Sequence, residues 1–403
     1  MKNKIVITKT GAISPIGVGV ENFISNIQKI NNPQDIKTFD TEKYDIKKAF
    51  VANDFDPKPI LGDKGLRNFN RNTLFILSAI KKDMDNEINY FKTEDKRLGL
   101  TIGTCFGSLQ SISDYELDIF DKGPRKINPM GFGNTVLNSP TSRANIWFGL
   151  TSQSTTVSTG SISSAKAIEF SIGQINKNVV DAMICGGAEE LNMQTFLGYY
   201  LNKFLTKNEE ITCYEKNSTG TIISEGCGLA LLETYENAVK RGAKILASIL
   251  GYGTSFYGSI DNTKNFSTKG VVNSIKNALK NGNIDTKDID LVISSANGLT
   301  PFDSMEENSL MEVFGDRLTE IPVIPLKSLI GETIGASGLF SIVAASNIKD
   351  IKELPFVYKY SNGQKKLIKV NNFKINYSNF TKILVNCISE CGNHSAIILQ
   401  IEK

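Results

Sequence analysis

The sequence predicts an α/β protein, and three observations support that fold class. Short apolar runs alternate along the chain with segments whose apolar residues recur every three or four positions, which is typical of alternating strands and helices. The 403 residues are enough for one large domain or for two halves of about 200 residues each. Hydrophobic residues make up 40% of the chain and charged residues 22%, which provides an ample core.

The predicted elements follow one another in a regular order. The apolar runs predict strands at Lys4–Thr8, Gly99–Gly103, Thr155–Thr159, Val179–Cys185, Gly228–Thr234, Ile245–Tyr252, Asp290–Ser295, Ile383–Cys387 and Ser395–Ile401. The periodic segments predict helices at Asn70–Lys82, Asn134–Phe148, Ser163–Ile175, Thr268–Lys280, Asp303–Phe314 and Ile334–Asn347. Strand–glycine–helix units occur before and after about residue 250, which indicates two similar halves, residues 1–250 and 251–403. The segment Ser361–Phe380 is polar, and we expect an exposed excursion there before the last hairpin.

Composition and charge exclude several classes of protein. The 45 basic and 42 acidic residues leave a net charge of +3, which is too balanced for a dedicated nucleic-acid-binding protein. No apolar run reaches the ~18 residues of a membrane span, and Met1–Ile16 lacks the apolar region of a signal peptide, so we expect a cytoplasmic protein. Six widely spaced cysteines favour free thiols over a disulfide framework. The single histidine excludes a His-rich metal site and any mechanism that needs two imidazoles in one chain, and we predict no metal centre.

The segment Thr155–Ile168 carries the clearest chemical signal. An apolar strand ends at Gly160, the chain turns at Ser161, and a helix of small residues follows. A residue on such a turn faces the partial positive charge of the helix, which suits a nucleophile. A thiol would be activated there, whereas a serine hydroxyl needs an adjacent base, and no histidine is near in the sequence. The alternative is that Ser161 caps the helix.

Several further segments, together with this one, resemble the β-ketoacyl synthase branch of the thiolase family. They match in one order along nearly the whole chain: Val6–Pro15, Lys122–Pro129, Cys185–Glu189, Ser224–Gly228, Ser294–Asp303, Ile324–Gly338 and Asn386–His394. The resemblance implies a duplicated thiolase-like fold, in which two βαβαβαββ-like halves pack as five α-β-α-β-α layers. It also implies a dimer.

The departures from this family concern its catalytic positions. The family's nucleophilic cysteine falls on Ser161, and its two catalytic histidines fall on Asn297 and Glu332. Lys327 is retained, and the phenylalanine that gates acyl entry falls on Glu390. Condensation needs a thiolate to hold the acyl chain and two imidazoles to support decarboxylation and the developing oxyanion. We therefore expect the chain to lack condensing activity on its own.

A ketosynthase-like chain that has lost the triad looks like a chain-length factor, the non-catalytic half of a type II polyketide ketosynthase heterodimer. The resemblance implies a catalytic ketosynthase partner and chains carried on an acyl carrier protein. It implies no cofactor bound by this chain, because the phosphopantetheine belongs to the acyl carrier protein. The tunnel-gating positions of such factors fall on Leu109, Ile112 and Glu116, with Phe106 just upstream, and their alternative role is ordinary interface packing.

Two other functions remain open. The first is a stand-alone serine acyltransferase or hydrolase that uses Ser161 as nucleophile, with Glu332 as base. A carboxylate paired directly with serine is a poor activator, and Asn297 cannot take up a proton, which disfavours this hypothesis. The second is an unpartnered scaffold that binds acyl carrier protein.

Overall fold

A computed structural model describes residues 3–258, 267–376 and 379–402. The strands are β1 Ile5–Ser14, β2 Gly17–Val18, β3 Gln34–Asp35, β4 Lys48–Ala49, β5 Leu98–Gly103, β6 Ser154–Val157, β7 Ala182–Glu189, β8 Gly226–Thr234, β9 Ala247–Phe256, β10 Leu291–Ile293, β11 Val323–Ile324, β12 Glu353–Ser361, β13 Lys366–Lys374, β14 Lys382–Ile388 and β15 Asn393–Ile401. The α-helices are α1 Val20–Asn26, α2 Lys58–Leu61, α3 Arg71–Thr93, α4 Leu109–Lys122, α5 Ser139–Trp147, α6 Ser163–Asn176, α7 Met193–Leu201, α8 Tyr235–Lys240, α9 Lys269–Gly282, α10 Thr300–Phe314, α11 Lys327–Ile330 and α12 Ser337–Ser346. Short 3-10 helices occur at Leu66–Asn68, Pro129–Asn134, Thr286–Asp288, Gly315–Thr319, Ile334–Ala336 and Ile348–Asp350.

The main sheet is mixed, and its two halves repeat one strand order. The path is β13-β12-β11-β10-β14-β15-β9-β1-β8-β7-β5-β6, with β2 paired to β1. Five strands of each half repeat: β9, β10, β11, β14 and β15 in the second half, and β1, β5, β6, β7 and β8 in the first. Numbered in that chain order, the strands from β11 to β9 stand in the order third, second, fourth, fifth, first. The path from β6 to β1 repeats that order in the first half. In each half the fifth strand is antiparallel to its two neighbours, β8 in one and β15 in the other. This repeated topology confirms the predicted duplication.

The helices form the predicted layers. α6 and α12 lie in the middle and contact strands of both halves, while α3 and α5 pack on the outer side of the first half and α9 on the outer side of the second. Glycines allow the middle layer to approach the sheet: a Cβ at Gly103 would lie 2.4 Å from the backbone carbon of Ser163, and one at Gly187 would lie 2.5 Å from Cβ of Ser164. The five-layer thiolase-like prediction is confirmed. The predicted division after residue 250 falls within β9 and stays a prediction.

The described residues of Ser361–Phe380 are mostly exposed or partly exposed, as expected, but the centre of the segment forms the strand β13, which was not predicted. β13 pairs with β12 through eight residue pairs, from Glu353 with Lys374 to Ser361 with Lys366, and forms the edge of the sheet. Leu367 is the one buried residue of β13, whereas Lys369, Asn371, Asn372 and Lys374 are exposed. Charged and polar residues on an edge strand disfavour pairing with a further strand. Because such residues are numerous in β13, its few apolar positions give no clear strand pattern in the sequence. Residues 377 and 378 of that segment lie outside the described residues.

Six helices of the described residues were not predicted: α1, α2, α4, α7, α8 and α11. None of the residues of α4 is buried, so it lies against the rest of the protein through partly exposed side chains alone. Among the helices of the described residues, none is both long and apolar enough to cross a membrane.

Candidate functional site

Ser161 occupies the turn between β6 and α6, as the sequence predicts. Gly160 has a φ of 72°, a left-handed conformation that glycine adopts without strain. A Cβ on Gly160 would lie 2.7 Å from Oγ of Ser389, so the loop between β14 and β15 packs closely over this turn. Ser161 is buried, and its Oγ donates a hydrogen bond to Oε2 of Glu390 at 2.7 Å.

The capping alternative for Ser161 is wrong. The residue at the N-cap position of α6 is Ile162, which makes no side-chain capping bond. Ser163 stabilises the turn instead: its Oγ accepts from the backbone N–H of Thr159 at 2.9 Å and donates to the carbonyl oxygen of Gly160 at 2.6 Å. The hydroxyl of Ser161 therefore makes no capping bond to α6 and donates to Glu390 instead.

The other residues that the resemblance assigns to catalytic positions form one buried cluster. Oε2 of Glu332 accepts from Nζ of Lys327 and from Nδ2 of Asn297, each at 2.7 Å. Its Oε1 accepts from Oγ of Ser337 at 2.7 Å and from the backbone N–H of Ile334 at 2.8 Å. Glu332 thus has four donors in a fully buried position, and its lone pairs are already engaged.

The electrostatics of this cluster favour an ion pair. Burial acts to raise the pKa of Glu332, but the charge of Lys327 and the hydrogen bonds outweigh it and leave the pKa lowered. Burial likewise acts to lower the pKa of Lys327, and the attraction of Glu332 and Glu390 leaves it raised. Glu332 is therefore an ionised carboxylate paired with the ammonium group of Lys327, and this pairing makes Glu332 a poor proton acceptor.

Glu390 joins Ser161 to the same cluster. It lines a small cavity together with Asn297 and Lys327. Burial raises the pKa of Glu390, and the nearby negative charge of Glu332 raises it further. The structure thus brings together the five positions that the resemblance singled out, and it pairs Ser161 with Glu390 rather than with Glu332.

Sequence reasoning missed the carboxylates that support this cluster. Oε1 of Glu306 accepts from the backbone N–H of Ser295 at 2.9 Å and from Nδ2 of Asn386 at 2.6 Å, and Oγ of Ser295 lies 3.4 Å from Nζ of Lys327. Asp303 accepts from the backbone N–H of Asn297 at 3.0 Å, and burial raises its pKa to about 7. The signal was present in the sequence, because two carboxylates three residues apart at the start of α10 share one helix face.

The predicted gating residues lie in a different environment. Phe106 is 37% exposed, and its backbone N–H donates to Oε1 of Glu189 at 3.0 Å. Leu109 and Ile112 are partly buried and Glu116 is exposed, all three on α4. Their role as gates stays a prediction. Glu189, which sequence reasoning gave no role, is buried, and burial raises its pKa to about 7.

Comparison with known proteins agrees with the fold. Residues 2–238 match the profile of the β-ketoacyl synthase N-terminal domain, and residues 246–353 match that of the C-terminal domain. The chain is 26% identical over 363 residues to 3-oxoacyl-[acyl-carrier-protein] synthase 2 of Staphylococcus aureus strain COL, covering 88% of each chain. It is also 26% identical over 360 residues to the protein of the same name from Coxiella burnetii, covering 87% of this chain and 86% of the other.

Solved structures show the same architecture over the full length. The ishigamide ketosynthase/chain length factor superposes with a TM-score of 0.86 at 22% identity, covering 100% of both chains. A ketosynthase bound to a hexaketide, in complex with its type II PKS acyl-carrier protein, superposes with a TM-score of 0.85 at 21% identity, also over 100% of both chains. At these identities the likeness shows the fold. The two domain matches, which together span most of the sequence, establish that this chain belongs to the β-ketoacyl synthase family.

Proposed function

We propose that this chain is a chain-length factor, a non-catalytic subunit that pairs with a catalytic ketosynthase in a type II polyketide synthase. The observation that carries the proposal is the chemistry of the site. The position of the nucleophile holds Ser161, hydrogen-bonded to Glu390, and the two positions of the imidazoles hold Asn297 and Glu332. None of these groups supplies the thiolate and the imidazole pair that decarboxylative condensation uses.

A partner is supported by an apolar face on the first half. It is formed by side chains that are 39% to 87% exposed, from α4, the 3-10 turn after it, the following loop and α5: Leu117, Phe120, Met130, Phe132, Val136, Leu137 and Ile146. Phe120 is the most exposed, at 87%. α4 contacts the 3-10 helix Pro129–Asn134, and that helix contacts α5, so these side chains lie on neighbouring elements. Large exposed apolar surface is typical of interfaces. We refer to these seven residues as the apolar face.

The sheet edge supports the same partner. β6 ends the sheet path and pairs on one side only, with β5, in the described part of the chain. An unpaired edge next to exposed apolar side chains offers both backbone hydrogen bonds and buried area to a second subunit. We propose that a catalytic ketosynthase covers this edge and the apolar face, and that acyl carrier protein brings the growing chain on its phosphopantetheine to the heterodimer.

The experiment is co-expression of the chain with ketosynthases that retain a complete Cys-His-His set. We expect a 1:1 heterodimer in native mass spectrometry, elongation of chains on acyl carrier protein by the complex, and no elongation by this chain alone. A chain that elongates by itself, or that ignores every such partner while remaining a stable monomer, would contradict the proposal.

A second candidate function rests on one contact. The hydrogen bond from Ser161 to Glu390 is the arrangement that a serine acyltransferase or hydrolase with a carboxylate base would use, and the pKa of Glu390 is raised. Incubation of the isolated chain with acyl carrier protein loaded with a short acyl chain distinguishes the two candidates. An acyl group on Ser161, found by peptide mass spectrometry without any partner, favours the hydrolase, and its absence favours the chain-length factor.

A further inference from the structure

A large cavity lies beside α4. Its volume is about 620 Å³, within the range of small-molecule sites. Its walls come from residues 67–71, which lead into α3, and from the first turns of α4. The 3-10 helix Pro129–Asn134 and Arg143 on α5 complete them. The contributions of α4 are Gln110, Ser111 and Asp114.

This cavity is separate from the surface that carries the predicted gates. Successive residues of an α-helix are about 100° apart around its axis. The residues of α4 that line the cavity therefore lie on one side of the helix: Gln110, Ser111 and Asp114. The predicted gates lie on the opposite side: Leu109, Ile112 and Glu116. The cavity also shares no lining residue with the small cavity at Asn297 and Lys327.

Two guanidinium groups in the cavity have no carboxylate partner. Among the described residues, no acidic oxygen lies within 4.0 Å of Arg67 or Arg143, whereas Arg71, in the same wall, pairs with Glu225 at 2.6 Å. The guanidinium of Arg143 lies 6.0 Å from the ring centroid of Phe69, over its face. A guanidinium stays charged at every accessible pH and presents a planar set of donors that matches a carboxylate or phosphate.

The carboxylates of the cavity do not neutralise these arginines. Oδ1 of Asp114 accepts from Nε2 of Gln110 at 2.8 Å. Glu190 is buried, and its two oxygens accept from the backbone N–H groups of Asn72 and Gln110, each at 3.3 Å. Burial raises the pKa of Glu190 to about 7, so near neutral pH this group is partly protonated. Arg67 and Arg143 therefore have no ion-pair partner in the described residues, and the negative charge of Asp114 lies in the same cavity without bonding to either arginine.

We propose that this cavity binds a small organic oxyanion, a carboxylate or a phosphate, through Arg143 and Arg67. The inference rests on the proposed function, because Met130 belongs both to the cavity and to the apolar face that the partner would cover. When the partner closes over Met130, Arg143 loses part of its water. A charge removed from water without a counter-ion is strongly unfavourable, and an oxyanion on Arg143 offsets that cost. Neighbouring amide side chains, such as that of Asn128, supply further hydrogen bonds to an oxygen-rich ligand.

The test is a calorimetric titration of the heterodimer at low ionic strength with two probes, succinate and inorganic phosphate. We expect at least one probe to bind with a dissociation constant of about 1 mM or tighter, and the tighter probe identifies the carboxylate or the phosphate class. Arg143→Gln should weaken binding at least tenfold, and Arg143→Lys should weaken it less, because an ammonium keeps the charge but loses the planar fork. Arg125→Gln, which changes an exposed arginine outside the cavity, is the matched control and should bind normally.

The outcomes separate this inference from the proposed function. Native mass spectrometry of the same samples reports heterodimer formation independently of probe binding. The oxyanion site is contradicted if an intact heterodimer binds neither probe, or if it binds a probe as tightly after Arg143→Gln. The proposed chain-length factor is not affected by either result. If no heterodimer forms, the isolated chain is titrated, and saturable binding that depends on Arg143 supports the site by itself. Thermal melts confirm that each variant folds, and Arg143→Lys serves as the test variant if Arg143→Gln does not.

Discussion

At the scale of single residues, the site gathers a hydroxyl, an amide and two carboxylates around one lysine. Lys327 pairs with Glu332, the charge of Glu390 helps to raise the pKa of Lys327, and the charge of Glu332 helps to raise the pKa of Glu390. The charges of the cluster therefore depend on one another. A single substitution at one position should change the ionisation of the others.

The first residue-scale prediction concerns Ser161→Cys. This variant should not condense malonyl and acyl carrier protein substrates, because the thiol lacks imidazole partners and lies beside the carboxylate of Glu390, which disfavours the thiolate. Alkylation of the new thiol by iodoacetamide at pH 7.5 should be slow, and the double variant Ser161→Cys/Glu390→Gln should react about tenfold faster, a change of about 1 unit in thiol pKa. Peptide mass spectrometry measures both rates, with the parent chain as background. Chain elongation by the single variant without a partner would contradict the assignment.

The second residue-scale prediction concerns the Lys327–Glu332 pair. Lys327→Met leaves a buried carboxylate without its counter-ion and should lower the free energy of unfolding by about 3 kcal/mol or more, measured by urea denaturation. Lys327→Met/Glu332→Leu removes both charges and should be less destabilised than the single variant. An equal loss in the single and double variants would show that packing rather than charge determines the cost.

The pH dependence of that loss follows from the two pKa shifts. Because the pKa of Glu332 is lowered, its stabilisation is present above the ordinary value of 4.5 and disappears as the pH falls through the folded-state value. Because the pKa of Lys327 is raised, its stabilisation is present below 10.5 and disappears as the pH rises through the folded-state value. The difference between parent and Lys327→Met should therefore be full at pH 7 and should shrink as the pH falls well below 4.5.

At the scale of elements, the buried strands and the middle-layer helices were predictable because their apolar pattern is continuous. α6 begins at Ser163 as predicted and ends at Asn176, one residue beyond the predicted end. β13 and α4 escaped prediction for the opposite reason, since β13 is an edge strand and α4 has no buried residue. Elements whose packing is completed at an edge, or by another chain, leave a weak pattern in a single sequence.

The same reasoning limits what the sequence says of the site. The positions of Ser161 and Glu332 follow from motifs that the resemblance locates along the chain. The contact between Ser161 and Glu390 joins residues that are 229 positions apart, and it depends on the close packing of the β14–β15 loop on Gly160. Spacing in the sequence carries no information about such a contact, which only the packed halves create.

An element-scale prediction tests the close approach of α6 to the sheet. Gly103→Ala would place its Cβ 2.4 Å from the backbone of Ser163, and backbone cannot move aside as a flexible side chain can. Overpacking of this kind costs about 1–3 kcal/mol, measured as a loss in the free energy of unfolding. Gly173→Ala, within α6 and with no atom within 4 Å of the added Cβ, is the matched control and should stabilise the protein by about 0.5–1 kcal/mol. If Gly103→Ala left the free energy of unfolding unchanged, the tight contact between α6 and the sheet would be contradicted.

A second element-scale prediction concerns α4 as the floor of the tunnel. Ile112→Ala should lengthen the products of the reconstituted heterodimer, because each CH₂ of acyl chain that fills the space gains about 0.8 kcal/mol. Ile112→Trp should shorten the products or block the complex, because packed interiors tolerate added volume poorly. Mass spectrometry of products, normalised for heterodimer content, measures the effect. Unchanged lengths in both variants, with only the yield of complex reduced, would leave Ile112 as an interface residue.

At the scale of the whole molecule, the two halves of the chain differ in what they leave exposed. On the side of the second half, the sheet path ends at β13, an edge strand with four exposed polar residues: Lys369, Asn371, Asn372 and Lys374. The first half ends at β6, next to the apolar face. Charged residues on an edge strand disfavour pairing with a strand of another chain, whereas exposed apolar residues beside an edge strand favour it. We therefore expect a partner to bind at the β6 end of the sheet.

The whole-molecule prediction tests that end of the sheet with Phe120→Glu. Phe120 is 87% exposed, so the substitution removes little packing within the chain and should leave the melting temperature nearly unchanged. In the complex, the new carboxylate would be buried against apolar surface without a partner, which should weaken association at least tenfold. Val239→Glu is the matched control, because Val239 is 54% exposed on α8, outside the apolar face, and it should form the complex normally. Native mass spectrometry and analytical ultracentrifugation report the fraction of 1:1 complex. Normal assembly by Phe120→Glu would place the partner elsewhere on the molecule, and equal losses in both variants would mean that added negative charge, rather than the loss of one apolar contact, prevents association.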